Sequence, residues 1–111
     1  MANYITNISA DTFLNAIIPN FPDIQKSVID VRTPDEYMNG HIKGSFNIDL
    51  MNPDFEAEFN KLDKDRVWYV ISNKNTRGTI AKMIMDEMRF KTVHDIIGGY
   101  NEWKVELEKG L

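Results

Sequence analysis

The chain has 111 residues, of which 42% are hydrophobic and 27% are charged. These are the proportions of a soluble globular protein, and the length suffices for one domain with one core but not for two. The net charge is −4 at pH 7, and no predicted helix carries a stripe of lysines or arginines. Nucleic acid and anionic membrane surfaces are therefore not expected as partners.

The sequence shows neither a secretory signal nor an apolar run close to the roughly 20 residues of a membrane span. We therefore expect the protein in the cytoplasm, and we take a monomer as the default state. The chain has no cysteine, which excludes disulfides, thiolate zinc sites and cysteine nucleophiles. His41 and His94 lack partners at metal-ligand spacing, so neither a metal nor another cofactor is expected.

The first predicted elements are a helix and a buried strand, which follow a short strand-like segment at residues 4–5. The helix has two to three turns. Ser9 is its N-cap, Pro19 ends it, and apolar residues fall at helical spacing between them: Ala10, Phe13, Leu14 and Ile17. The stretch SVIDVR has the continuous apolar character of a strand buried on both faces, and it ends with Asp30 and Arg32.

A short, sharply bounded helix follows in the stretch TPDEYMNGH. Thr33 is its predicted N-cap, Pro34 occupies the first helical position, and Glu36 completes a capping box with the threonine. Gly40 supplies the stop at the carboxyl end. The stretch GSFNIDL then predicts a second strand.

The middle of the chain predicts two more helices around a strand. NPDFEAEFNKLD is a helix that begins near Asn52 or Asp54 and has an apolar face: Phe55, Phe59 and Leu62. RVWYVI is the most apolar strand and is expected at the centre of the sheet. A helix that begins near Thr76 carries a predicted buried stripe: Ile80, Ile84 and Met88, widened by Met83 and Met85.

The last stretches predict a strand and a closing helix. FKTVHDII is the strand, Gly98 and Gly99 break it, and YNEWKVELEKGL is the helix, with Trp103 and Leu107 facing inward. Strands that alternate with helices imply parallel pairing through right-handed crossovers. The predicted fold class is therefore α/β, a three-layer sandwich with a mainly parallel sheet of about five strands flanked by helices.

Segments along nearly the whole chain, in order and at the right spacings, resemble the single-domain rhodaneses. VIDVRTPDEYMNGHIKGSFNIDL is similar to the family's first signature, and VWYVISNKNTR stands where the family has its catalytic strand and loop. MRFKTVHDIIGGYNEW resembles the closing segment of the family, with a glycine pair and a tryptophan four residues later. The resemblance implies one rhodanese-like domain over residues 1–111.

The resemblance also implies a sulfurtransferase. In rhodaneses a cysteine at the end of the central strand takes sulfur from thiosulfate or a similar donor, becomes a persulfide, and passes the sulfur to cyanide or a thiol. The cysteine opens a six-residue loop whose backbone N–H groups, with the following helix, form an anion cradle that usually ends in arginine. Here the loop runs from Ser72 to Arg77. Related phosphatases have a loop one residue longer, so this length favours sulfur chemistry.

Ser72 stands at the family's nucleophile position. A serine hydroxyl supplies almost no anion at neutral pH and cannot store sulfur as a persulfide in the family's manner, so we expect no sulfurtransferase activity. The rest of the loop supplies the candidate anion-binding residues: Asn73, Lys74, Asn75, Thr76 and Arg77. Arg77 is expected either to bind the anion or to cap loop carbonyls. The residues that match supporting positions of the family are an internal ion pair and a turn histidine: Asp30, Arg32 and His41.

Three further positions depart from the family pattern. Asn75 stands where the family commonly has glycine, Arg89 stands where a glycine often precedes the residue matching Phe90, and Gly78 replaces a small polar residue. Asparagine tolerates a positive φ better than other non-glycine residues. We therefore predict that Asn73 and Asn75 hold the curl of the loop.

Three functions remain open from the sequence alone. The first is a domain without sulfur transfer that retains a pocket for thiosulfate, sulfate or a phosphate-like anion. The second is an engineered rhodanese in which the nucleophile or the whole loop was substituted. The third is a serine hydrolase or esterase that uses Ser72, which would require a general base oriented by a third group.

Overall fold

A single parallel sheet organises the protein. The structure, a computed structural model, describes residues 4–73, 75–102 and 107–110. In this part of the chain five strands pair in parallel in the order β1-β5-β4-β2-β3. The strands are β1 (Tyr4–Ser9), β2 (Val28–Asp30), β3 (Phe46–Asn47), β4 (Val67–Ile71) and β5 (Thr92–Ile97). The fold class and the central place of β4 are confirmed, whereas β1 is longer and β3 is shorter than predicted.

Helices cover both faces of this sheet. They are α1 (Ala10–Thr12), which continues as a π-helical turn (Phe13–Ile17), α2 (Pro34–Asn39), α3 (Phe55–Asn60) and α4 (Asn75–Glu87). Two 3₁₀ segments, Pro22–Ser27 and Gly99–Glu102, lie between other elements. The predicted three-layer sandwich is therefore confirmed.

Each face of the sheet has its own apolar core. On one face, residues of β2, β4 and β5 pack with α3 and α4 in a cluster that includes Ile29, Val70, Val93, Phe59 and Met85. On the other face, Phe13 and Ala10 pack with residues of β2, β4 and β5 in a second cluster that includes Val28, Ile71 and Ile96. Because alternate residues of a strand point to opposite faces, the continuous apolar runs of β2 and β4 supply both cores.

Local capping signals determine where the early helices begin. The Ser9 hydroxyl accepts a hydrogen bond from the Thr12 N–H at 3.0 Å, as the predicted N-cap requires. At α2 the Thr33 side chain and the Glu36 side chain each accept from the other's backbone N–H, which completes the predicted capping box. The α3 helix begins after Asp54, whose side chain makes no cap hydrogen bond.

The buried face of α4 differs from the predicted stripe. Met85 is fully buried and Met88 packs against the core, as predicted, but Ile80 is 46% exposed, Met83 is 59% exposed, and Ala81 is fully buried. The reason is the close approach of α4 to β5 at Gly78, where an added Cβ would lie 2.5 Å from a carboxylate oxygen of Asp95. Gly78 and Ala81 therefore share the buried face with Met85, which turns Ile80 and Met83 toward solvent.

The end of the chain also differs from the prediction. Gly98 and Gly99 have positive φ angles of 81° and 53° and end β5, which confirms the predicted break. A 3₁₀ segment follows, and Trp103 lies outside the described residues. The predicted helix is wrong for residues 107–110, because Glu108 exchanges two backbone hydrogen bonds of 2.8 Å with His41. Pairing with the turn after α2 satisfies these backbone groups in place of a helix.

Arg89 ends α4 in a conformation that favours glycine. Its φ is 70°, the one positive φ at a non-glycine residue in the described part of the chain. The Phe90 N–H donates to the Met85 carbonyl at 3.0 Å, which is the long hydrogen bond of a Schellman motif. Arg89, which stands where the family often has glycine, thus ends a helix with its backbone in the left-handed conformation.

We expect Arg89→Gly to raise the free energy of unfolding by about 0.5–1 kcal/mol, because glycine adopts this φ without steric strain. Urea denaturation of the parent and the variant measures the change. Glu87→Gly is the matched control: its helical backbone is right-handed, so glycine should lower stability by about 0.5–1 kcal/mol. Equal destabilisation by both substitutions would contradict the strain assigned to Arg89.

Candidate functional site

The predicted nucleophile position lies at the carboxyl end of the central strand. Ser72 directly follows β4 and is 2% exposed, and its carbonyl accepts a hydrogen bond from the Tyr100 N–H at 2.9 Å. A Cβ added to Gly99 would collide with the same carbonyl oxygen. The glycine pair therefore lets the chain after β5 pass directly against the backbone of Ser72. This edge of a parallel sheet is where ligands collect in α/β folds.

Arg77 contacts a carboxylate that sequence analysis did not assign to it. Its Nη1 donates to Glu36 Oε1 at 2.7 Å and its Nη2 donates to Glu36 Oε2 at 3.0 Å, so the pair is bidentate. The two side chains are 29% and 30% exposed. The guanidinium that was expected to bind an anion or cap loop carbonyls instead ties the first turn of α4 to α2.

The Glu36 carboxylate is stabilised in its charged form. Hydrogen bonds from Arg77 and from the N–H and hydroxyl of Thr33 lower the pKa of Glu36 from its ordinary 4.5 to about 2, although partial burial opposes this. The same pairing with Glu36 raises the pKa of Arg77. The pair is therefore fully ionised at neutral pH.

Asn73 connects this ion pair to a second one. Its Nδ2 donates to Glu36 Oε2 at 2.8 Å, and its Oδ1 accepts from Arg32 Nη1 at 3.3 Å. Its backbone does not have a positive φ, and Asn75 begins the right-handed helix α4, so the prediction that these asparagines hold a left-handed curl is wrong. Asn73 holds the loop through its side chain.

Asp30 and Arg32 form the internal ion pair that the sequence predicts. Arg32 Nη2 lies 2.8 Å from Asp30 Oδ2, and their side chains are only 6% and 0% exposed. Arg32 also donates to the Gly40 carbonyl at 2.6 Å. Burial disfavours the charge on Arg32, but the hydrogen bonds and the charge of Asp30 outweigh burial and raise the pKa of Arg32.

Tyr100 is a site residue that sequence analysis missed. Its hydroxyl donates to Asp30 Oδ2 at 2.9 Å and accepts from the Ile42 N–H at 3.1 Å. Arg32 Cζ lies 4.0 Å from the centre of its ring, a cation–π distance. Burial and the neighbouring Asp30 raise the pKa of Tyr100, so it remains a neutral donor. The available signal was an aromatic residue directly after the glycine pair.

The two histidines are bound to other residues. His41 Nδ1 donates to the Tyr37 carbonyl at 2.7 Å, and the two rings stack with centres 3.7 Å apart. His94 on β5 contacts the Thr6 hydroxyl, and burial lowers the pKa of His94. Within the described residues neither histidine hydrogen bonds to Ser72, so the geometry supplies no histidine base for a serine hydrolase.

The remaining candidate residues of the loop are Lys74, Asn75 and Thr76. Asn75 and Thr76 begin α4, and Lys74 lies outside the described residues. Over the described ranges no group of three or more His, Cys, Asp or Glu side chains could hold a metal ion. In the same ranges, no helix has both the length and the apolar character that crossing a membrane demands.

We expect Glu36→Gln to lower the free energy of unfolding at pH 7 by about 1–3 kcal/mol, because Arg77 loses its charged partner. A carboxyl with a pKa lowered on folding contributes stability that is present above its unfolded value of 4.5 and is lost as the pH falls toward 2. The difference between parent and variant should therefore shrink between pH 4.5 and 3 in urea denaturation. A difference that is independent of pH would contradict the ion pair.

Tyr100→Phe should lower the free energy of unfolding by about 1–2 kcal/mol, because the Ile42 N–H loses its acceptor and Asp30 Oδ2 loses one of its donors. Thermal and urea denaturation measure the loss. Tyr69→Phe is the control, since the Tyr69 hydroxyl makes no hydrogen bond within the described residues and its removal should change stability by less than about 0.5 kcal/mol. Equal effects would contradict the role given to the Tyr100 hydroxyl.

Comparison with known proteins places the chain among sulfurtransferase-related sequences. It is 28% identical over 107 residues to the putative sulfur carrier protein YrkF of Bacillus subtilis. The aligned region covers 96% of this chain and 55% of YrkF. It is 32% identical over 90 residues to the chloroplastic thiosulfate sulfurtransferase 16 of Arabidopsis thaliana, covering 68% of this chain and 71% of that protein. The chain thus spans about half the length of YrkF.

Solved structures and a family model agree with the fold. A rhodanese-like domain protein from Staphylococcus aureus superposes with a TM-score of 0.80 at 20% identity, over 96% of this chain and 99% of that one. This likeness concerns the fold alone. The family model of the rhodanese-like domain matches residues 10–106. By this match over most of its length, and by the strand order and loop position described above, the chain belongs to the rhodanese-like domain family.

Proposed function

We propose that this chain is a rhodanese-like domain that does not transfer sulfur and that binds a small anion at the loop of residues 72–77. The observation that carries the proposal is the place of Ser72, which is buried directly after β4 and opens a loop that hydrogen bonds of Asn73 and Arg77 hold to Glu36. Two of the relatives are named thiosulfate sulfurtransferases, and sulfur transfer from thiosulfate is the reaction that we propose this chain does not catalyse.

Sulfur transfer requires a thiolate at this position. A thiol has a reference pKa near 8.5, so a fraction is ionised at neutral pH, whereas an alcohol supplies almost no anion. The intermediate of the family is a persulfide, in which the protein sulfur is bonded to the transferred sulfur. The oxygen of Ser72 cannot form that bond. We therefore propose that turnover of thiosulfate stays at the background rate.

The anion pocket rests on the backbone at the start of α4. This helix has 13 residues, and the N–H groups of its first turn have no partners within the helix, which gives its amino end a partial positive charge. Arg77 already pairs with Glu36 through both terminal nitrogens. Backbone donors rather than the guanidinium would therefore hold a thiosulfate, sulfate or phosphate-like anion, with weak affinity.

The test is thiocyanate formation from thiosulfate and cyanide by the parent and by Ser72→Cys. We expect the parent to match the no-enzyme rate and the variant to turn over, because the substitution supplies the sulfur atom that Ser72 lacks. Ser27→Cys is the matched control: it places a cysteine at a buried serine that precedes β2, at the other edge of the sheet, and should remain inactive. Turnover by the parent above this control would refute the proposed loss of sulfur transfer.

Titration of the ¹⁵N-labelled parent with sodium sulfate and thiosulfate tests the pocket. The proposal requires backbone shifts concentrated at Ser72, Asn73 and Arg77, beyond those produced by an equal ionic strength of chloride. Shifts spread evenly over the surface would contradict the pocket. A folded Ser72→Cys variant without turnover would contradict it as well, because it would show that the loop no longer presents an anion to the cysteine.

A further inference from the structure

A hollow at the opposite edge of the sheet from Ser72 has the properties of a second ligand site. It has a volume of about 390 Å³ and lies where β3 and β4 begin. Its apolar lining comes from Phe46, Ile48, Leu62 and Trp68, and Arg66 stands at its rim. We refer to it as the Arg66 hollow. Its volume lies in the range of about 300–1,000 Å³ that is typical of small-molecule sites.

Arg66 is held in position by two buried side chains. Its Nε donates to the Ser27 hydroxyl at 3.0 Å, and its Cζ lies 4.8 Å from the centre of the Trp68 ring. Ser27 is 5% exposed and Trp68 is 1% exposed, so both anchors belong to the packed interior. An arginine whose plane is set before binding loses less conformational entropy when it takes up a ligand.

The terminal nitrogens of Arg66 remain available. Within the described residues, the Arg66 side chain makes no ion pair and no hydrogen bond other than that from its Nε to Ser27. Four charged side chains line the hollow, Glu58 and Asp63 against Lys61 and Arg66, so their formal charges balance. Glu58 pairs with Lys61 at 3.3 Å, and Asp63 Oδ1 accepts from the Asp65 N–H at 3.0 Å. Arg66 is therefore the cation of this lining that pairs with no carboxylate of the described residues.

The walls of the hollow expose aromatic surface. Phe46 is 46% exposed although it lies on a strand, and its ring centre is 6.1 Å from that of Trp68. Covering exposed apolar area contributes favourably to binding. An aromatic ring placed against Phe46 and Leu62 would gain this contribution, with an edge-to-face partner already present in the wall.

We propose that the Arg66 hollow binds a small molecule with an apolar, preferably aromatic, body and one carboxylate. The carboxylate accepts two parallel hydrogen bonds from the terminal nitrogens of Arg66, and the body lies against Phe46, Leu62 and the edge of Trp68. This site is separate from the proposed anion pocket, because β4 begins directly after Arg66 and ends directly before Ser72. Its test does not depend on sulfur chemistry.

Hydrocinnamate and its amide, hydrocinnamamide, are the probes, and the ¹⁵N–¹H spectrum of the full chain is the readout. The indole N–H of Trp68 donates to the Asp63 carbonyl at 2.8 Å and reports on the hollow directly. We expect hydrocinnamate to shift the signals of Trp68, Phe46 and Leu62 and to leave Ser72 unshifted. The neutral amide should bind at least about tenfold more weakly, since it cannot form the charge-assisted pair.

Two variants and a matched control localise the effect. Arg66→Gln should weaken hydrocinnamate binding by about tenfold or more, and Phe46→Ser, at an exposed position, should weaken both probes. Lys91→Gln removes one positive charge near the start of β5, from a residue that pairs at 3.3 Å with Asp65 and does not line the hollow. It should bind hydrocinnamate as the parent does.

Three results would overturn the proposal. They are the absence of shifts at the hollow up to saturating probe, equal affinity for the acid and the amide, and undiminished binding by a folded Arg66→Gln variant. The peptide Gly-Gly-Phe tests a protein carboxyl terminus as the source of the same chemistry. Tighter binding of that peptide than of hydrocinnamate would overturn the small-molecule assignment in favour of a chain terminus.

Discussion

The carboxylate of Glu36 joins the parts of the site that lie far apart in the chain. It accepts hydrogen bonds from the backbone and hydroxyl of Thr33, from Asn73 and from both terminal nitrogens of Arg77. One side chain thereby caps α2 and fastens both ends of the loop that follows β4. Because these donors hold it ionised, removing its charge or its donors loosens two elements at once.

A second set of hydrogen bonds supports the same loop. Asp30 at the end of β2 receives Arg32 and the Tyr100 hydroxyl, while the Tyr100 N–H holds the carbonyl of Ser72. These bonds involve buried or half-buried groups, for which an unmade hydrogen bond costs more than a made one contributes. The positions of the loop and of the turn at Gly40 are therefore coupled through a polar network rather than through apolar packing.

The backbone at the nucleophile position takes part in this network. The Ser72 carbonyl accepts from the Tyr100 N–H, and a cysteine at this position would offer the same carbonyl. The proposed loss of the thiolate therefore leaves this backbone contact in place. The opposite edge of the sheet offers a different chemistry, since Arg66 presents a cation beside exposed aromatic surface there.

Features that arise from neighbouring residues were predictable from the order of the amino acids. The capping box of Thr33 and Glu36, the break at Gly98 and Gly99, and the central strand β4 all follow from local hydrogen bonding, backbone freedom or a continuous apolar run. The family resemblance identified Ser72 in the same way, from motifs read in order. These features need no knowledge of the folded contacts.

Contacts between segments that are distant in the chain were not predictable in this way. Arg77 and Glu36 are 41 residues apart, and the pair joins two helices, α4 and α2, that no periodicity relates. The phase of α4 was set by the approach of Gly78 to Asp95, and Glu108 left the predicted helix because His41 offered backbone partners. Each outcome depends on which groups meet when the sheet assembles, and local propensities of a fraction of a kcal/mol are outweighed by such packing and hydrogen bonds.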